Sequence, residues 1–210
     1  KSQRSEDPAN SGTTNYRPQT TDLRPIALLP GSRKQEIAKK LPIMLEVAKS
    51  FPQEIFAVAQ APGLDDAFYA PFLSDYPNVV TVRNQTYDLL LQAKAALVTS
   101  GTATLETALF GVPEVVCYKG SSISYQIAKR LIKIKYISLV NLIMDKEVVK
   151  ELIQDALTSE NLVRELGLLL HDERKRKELT EDYTALKNKL AAGGKASAKA
   201  AEIIVGMTSH

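Results

Sequence analysis

The chain of 210 residues carries 27 Lys and Arg against 24 Asp and Glu, a formal charge of +3, and is 44% apolar. That is enough apolar material to bury a core, and too small a charge to argue for nucleic acid when no Lys/Arg-rich run is interleaved with aromatics. A single cysteine excludes a disulfide scaffold, no apolar run approaches the ~18–20 residues that span a bilayer, and the N-terminus has no signal-peptide core, so the chain reads as cytosolic.

Residues 1–22 contain two apolar side chains, Ala9 and Tyr16, among Ser, Thr, Asn, Gln and Pro. Such a stretch cannot offset its ordering entropy and reads as a disordered tail, a linker or a truncation scar. From Leu23 the texture changes, and 23–210 reads as one domain. Short apolar runs at 25–29, 54–59, 78–82, 95–99, 114–118 and 136–139 are strand candidates, continuous rather than alternating, as in strands covered on both faces. Between the first two, Ile37, Leu41, Met44, Leu45 and Ala48 keep helical spacing, with Pro42 kinking that helix or starting a second. Leu105, Ala108 and Leu109 follow the fourth strand. Ile123, Ile127, Leu131 and Ile134 follow the fifth. Strand and helix in alternation predict an α/β fold with a doubly wound parallel sheet, Rossmann-like. Cys117, in the fifth strand, reads as a small buried thiol. From 145 to 207 the pattern is helical: Leu179, Tyr183, Leu186 and Leu190 form a stripe after Asp172 as N-cap, and Gly193 and Gly194 precede a last helix bearing Ala196, Ala200, Ile203, Ile204 and Met207.

Two turns carry the chemistry. After the first strand comes Pro30-Gly31-Ser32-Arg33, leading into a helix whose unpaired N–H groups and positive dipole end suit an anion, with the Arg33 guanidinium as a fork for phosphate. The plainer reading is a capping box from Ser32 and Gln35, with Arg33 a solvated charge. The turn is neither a Walker loop nor GxGxxG. After the fourth strand comes Ser100-Gly101-Thr102-Ala103-Thr104, small residues that let a ligand approach the backbone at a second helix start. Glu106, about one turn in, could accept from ribose hydroxyls; the plainer reading is a charge complementing the dipole and threonines that cap. In strand order 3-2-1-4-5, strands one and four are neighbours at the topological switch point, where ligands bind. Two anion-friendly turns at one crevice predict a diphosphate, and with Glu106 beside them a nucleotide.

The segments LLPGSRKQEI, VTSGTATLETALFGVPEVVCYK and KYISLVNLI, in that order and spacing, closely resemble the C-terminal half of the lipid-A-disaccharide synthase family of GT-B glycosyltransferases. The resemblance runs from about Leu23 to the C-terminus and makes 23–210 a UDP-sugar-binding GT-B C-terminal domain. It implies transfer of diacylglucosamine from UDP-2,3-diacylglucosamine to an acylated glucosamine 1-phosphate, with release of UDP, in lipid A and lipopolysaccharide synthesis of Gram-negative bacteria. By the same analogy Gly31, Ser32 and Arg33 with Ser100, Gly101, Thr102, Ala103 and Thr104 hold the diphosphate and Glu106 the ribose. Asn84, Gln85 and Thr86 meet the uracil, and Asn141 lines the reaction cleft. No metal or other cofactor is expected, the UDP-sugar being a substrate, and no Asp-x-Asp pair offers a metal site.

The family's N-terminal domain, with its acceptor site and general base, is not recognised here, so the chain reads as a fragment, alone inactive, whose partner is that half or a second copy. Rival readings are a non-catalytic UDP-binding module and another UDP-sugar enzyme such as a 2-epimerase-like protein. Residues 119–135 carry Lys119, Lys129, Arg130, Lys133 and Lys135 and no acid. With lipid substrates implied, Lys129, Arg130 and Lys133 read as contacts to an anionic membrane surface or substrate phosphate, hence a peripheral inner-membrane enzyme on the cytoplasmic side. The plainer reading is the solvated face of a helix. His171 and His210 have no partner at catalytic or metal spacing and read as surface residues.

Overall fold

The computed structural model describes residues 22–120 and 135–192. Six strands, β1 (Ile26–Leu29), β2 (Phe56–Gln60), β3 (Val79–Arg83), β4 (Ala95–Thr99), β5 (Glu114–Tyr118) and β6 (Lys150–Ile153), form one sheet in the order β3-β2-β1-β4-β5-β6. Every pairing is parallel. The described helices are α1 (Lys34–Ser50), α2 (Asp66–Leu73), α3 (Thr86–Gln92), α4 (Thr102–Leu109), α5 (Leu139–Met144), α6 (Ser159–His171) and α7 (Glu173–Ala192). The predicted doubly wound sheet is therefore present, with β1 and β4 at its switch point.

Period-two geometry sorts each central strand onto two faces. Ile26 and Leu28, Phe56 and Val58, and Ala95 and Leu97 join a bulky cluster with Ile37, Leu41 and Met44 of α1 and Leu162 and Leu166 of α6. Ala27 and Leu29, Ala57 and Ala59, and Ala96 and Val98 turn the other way and pack with Leu89 and Leu90 of α3. The small side chains on this second face let α3, only seven residues long, cover it closely. Leu179, Tyr183 and Leu186 are buried along α7, as their stripe predicts, and the Lys175 amide donates to Asp172 Oδ1 at 3.0 Å, so Asp172 does cap that helix. His171 ends α6 on the exposed side.

Several expectations are corrected. Residues 136–139 are not a strand: the chain there leads into α5, and the sixth strand is Lys150–Ile153. The region from 145 onward is thus not wholly helical, for it also holds β6 and a 3-10 turn at Gln154–Ala156. Pro42 lies inside one continuous α1 and starts no second helix. The stripe at Ile123, Ile127, Leu131 and Ile134, the break at Gly193 and Gly194 with the helix after it, and His210 lie outside the described residues, as does the segment 1–22 except Asp22.

Cys117 is fully buried in β5, and burial pushes its thiol up to about 12. Thiolate is the reactive form, so the native protein should not react with a disulfide reagent at pH 8, whereas one thiol should titrate at once in denaturant. Fast modification of the native chain would contradict this burial.

Candidate functional site

Because β1 and β4 are paired with Leu29 opposite Val98, the turns that follow them leave the sheet side by side. Gly31 has φ +117° and Gly101 φ +150°, backbone conformations that side-chain-bearing residues rarely adopt. At Gly31 a Cβ would also stand 3.1 Å from Glu36 Oε2. Each turn delivers the start of a helix with no side chain bonded to its cap: Arg33, extended, precedes α1, and Gly101 precedes α4. The capping box of Ser32 and Gln35 is therefore not formed. Thr104 does not cap either, since its buried hydroxyl donates to the Gly101 carbonyl at 2.8 Å.

Gly31, Ser32, Ser100, Gly101, Thr102 and Ala103 line one cleft of about 250 Å³, together with Thr99, Glu36, Gln60 and Thr86. A second cavity of about 680 Å³ is lined by Asn84, Gln85, Thr86, Tyr87 and Glu106. Thr86 borders both. Asn84 makes the turn before α3 at φ +54°, which Asn tolerates better than most residues. Glu106 is half-buried, and burial holds its carboxyl above the ordinary glutamate value. Its charge in turn raises the Tyr87 phenol, whose ring stacks on Phe110 with centroids 5.4 Å apart.

The structure thus brings together ten of the predicted site residues in two adjoining cavities. It places three differently. Arg33 stands outside the lining, 82% exposed, donating from Nη1 to Glu36 Oε1 at 3.2 Å. Thr104 lies beneath its turn. Asn141 does not line a cleft, because it is fully buried and every polar position is used. Its Nδ2 donates to the Val149 carbonyl and to Glu151 Oε1, both at 2.8 Å, and its Oδ1 accepts from the amides of Val148 and Val149 at 2.8 and 3.0 Å. Glu151 Oε1 also accepts from the amide and hydroxyl of Ser138, and Oε2 from the amide of Ile137 at 3.0 Å. This knot fixes the loop beside the cleft, since Ser100 Oγ donates to the Ile137 carbonyl at 3.3 Å. Lys129, Arg130 and Lys133 lie outside the described residues, while Lys135 pairs with Asp145 at 3.8 Å.

Reading the sequence did not single out Glu36, Thr99, Tyr87 or Lys40. One signal was available: Glu36 follows Gly31 by the same spacing, Gly-x4-Glu, as Glu106 follows Gly101. The two carboxylates nonetheless diverge, one meeting its own glycine turn and the other facing the second cavity.

Among the described residues, no helix is long and apolar enough to cross a membrane. The fold is similar to that of the crystal structure of the glycotransferase of kitacinnamycin (TM-score 0.58, 15% identity, covering 94% of this chain and 46% of that one). The chain is 41% identical over 181 residues to the lipid-A-disaccharide synthase of Syntrophus aciditrophicus, covering 83% of this chain and 47% of that protein. It is 38% identical over 189 residues to that of Geobacter sulfurreducens, covering 88% and 49%. The chain therefore spans about half the length of these relatives. The family model described as lipid-A-disaccharide synthetase matches residues 6–205, beginning within the polar leading segment. With nearly the whole sequence inside that match and the sheet, turns and cleft arranged as described, the chain belongs to the lipid-A-disaccharide synthetase family.

Proposed function

We propose that this chain is the nucleotide-sugar half of a glycosyltransferase that moves diacylglucosamine from UDP-2,3-diacylglucosamine to an acylated glucosamine 1-phosphate. The observation that carries the reading is the pair of uncapped helix starts opening into one cleft, with the Glu106 carboxylate in an adjoining cavity across Thr86. The diphosphate lies against the Gly31–Ser32 and Ser100–Ala103 backbone, where N–H groups and two dipole ends meet its charge. Nucleoside fills the second cavity, its ribose hydroxyls donating to Glu106 and its uracil against Asn84, Gln85 and Thr86.

Bond cleavage at the sugar C1 leaves both bonding electrons on UDP, so the donors that neutralise this charge also lower the barrier to its departure. Arg33 joins them by exchanging one exposed ion pair, itself worth little, for a phosphate contact. The acceptor hydroxyl and the base that takes its proton are assigned to the portion of the longer relatives without counterpart in these residues. Membrane-surface action is supported by the five Lys/Arg and no acid of residues 119–135.

Calorimetric titration tests the reading. UDP should bind the chain; Arg33→Ala should cost about tenfold in UDP affinity, the size of one charge-assisted contact. Glu106→Ala should weaken UDP but not its 2′,3′-dideoxy analogue. A labelled-donor assay should give no disaccharide from the chain alone. Unchanged UDP affinity in both variants would reduce the turns to ordinary helix starts, and disaccharide formed by the chain alone would place the base here.

A further inference from the structure

Lys40 is 4% exposed, one helical turn beyond Glu36 on α1, with its side chain directed at the C-terminal end of β4. Its Nζ donates to Thr99 Oγ1 and stands 4.0 Å from Glu36 Oε2. Thr99 and Glu36 both line the smaller cleft. The ammonium therefore sits one side-chain layer behind the cleft wall, where desolvation disfavours its charge. A lysine buried at such cost has a partner or a task, and its nearest carboxylate is already engaged by Arg33 at 3.2 Å.

We propose that Lys40 is a positioning residue for the diphosphate: by donating to Thr99 it turns the threonine hydroxyl proton into the cleft, and it sets the charge of that corner positive.

The hydroxyl argument follows from donor and acceptor roles. An ammonium has only donors, so Thr99 Oγ1 must accept from it, and the threonine's own O–H points elsewhere. Thr99 borders the cleft beside Ser100 and Gly101, which makes the cleft a destination open to that proton. The charge argument is equally local. Arg33 and Glu36 neutralise one another, and Lys34 turns away onto the Phe68 ring at 5.8 Å. Once Arg33 leaves Glu36 for a phosphate, Lys40, 4.0 Å from Glu36 Oε2, is the counter-charge to a carboxylate that the opening would otherwise present to its ligand. Field from a buried cation is screened less than that from Arg33 at the surface.

This inference rests on the nucleotide reading, and its test separates the two. Lys40→Met replaces a buried charge by an apolar side chain of similar length, so the fold should be retained, as a thermal melt would show. Binding of UDP, inorganic pyrophosphate and uridine is then measured for Lys40→Met, Thr99→Val, Thr99→Ser and the Lys40→Met/Thr99→Val pair. UDP and pyrophosphate affinity should fall about tenfold in Lys40→Met and in Thr99→Val. Thr99→Ser should keep most of it, the double variant should lose less than the product of the singles, and uridine should be unaffected. Lys40→Met binding UDP as tightly as the unaltered chain would overturn the proposal while leaving the nucleotide reading intact. So would an equal loss for uridine, or Thr99→Ser no better than Thr99→Val. Failure of the unaltered chain to bind UDP at all would overturn the nucleotide reading and this one with it.

Discussion

Glu151→Ala should destabilise the protein by about 2–3 kcal/mol, the upper part of the ordinary range for a single substitution, because it breaks a part-buried polar network. The carboxylate takes four hydrogen bonds from Ile137, Ser138 and Asn141, and the donors it leaves behind include those of the fully buried Ser138 and Asn141. Glu151→Gln should cost about 1–2 kcal/mol, because an amide oxygen in the Oε1 position keeps three of those bonds, while its NH2 meets the Ile137 amide donor to donor. Urea denaturation of the three proteins gives the order directly. The Ala variant should also lose some UDP affinity, because Ile137 is the acceptor for Ser100 Oγ at the cleft. An alanine variant as stable as the unaltered protein would show that the loop is held by packing alone.

Glu114→Gln should change how stability depends on pH. Glu114 begins β5 at 1% exposure, and neither carboxyl oxygen has a hydrogen-bond partner among the described residues. Burial holds its carboxyl well above the ordinary glutamate value of 4.5. The folded chain therefore keeps a proton that the unfolded chain releases above that value. More protons bound in the folded state means stability falls with rising pH, until the folded group itself ionises. Gln carries no such proton. The stability difference between variant and parent should thus be constant below pH 4.5 and shift in favour of the variant above it, by up to about 1.4 kcal/mol per pH unit. Denaturation curves from pH 4 to 8 measure this, and parallel profiles for the two proteins would refute it.

Much of the architecture is legible in the residues because the central strands are apolar on both faces. Leu28 and Leu97 on one side and Ala27 and Ala96 on the other give unbroken runs that no surface helix would show. β6 escaped because Lys150 and Glu151 break such a run, and the strand lies at the sheet edge where one flank needs no partner. Tyr136 to Leu139 read as a strand from its composition alone, whereas the backbone there is claimed by the Glu151 carboxylate. Asn141 was placed at the cleft by family analogy alone, and nothing local in the sequence marks its four side-chain hydrogen bonds to Val148, Val149 and Glu151. The two glycine turns were legible because a glycine two residues past an apolar strand marks a sharp turn, and both glycines do take positive φ. Lys40 was not, since one lysine among Lys34, Lys39 and Lys40 has nothing local to mark it as the buried one.

The junction of β1 with β4 also decides when a binding site exists during folding. The chain lays β2 and β3 along one side of β1 before it returns to place β4 on the other, so the two glycine turns meet only at the end of that excursion. A nascent chain that has emerged through α3 possesses the Gly31 turn and the Asn84 loop, yet only half of the smaller cleft. A ligand spanning both turns therefore recognises the finished sheet and has little hold on any earlier intermediate. It stabilises the native state by mass action alone, raising the unfolding temperature with its concentration, without guiding the chain toward that state.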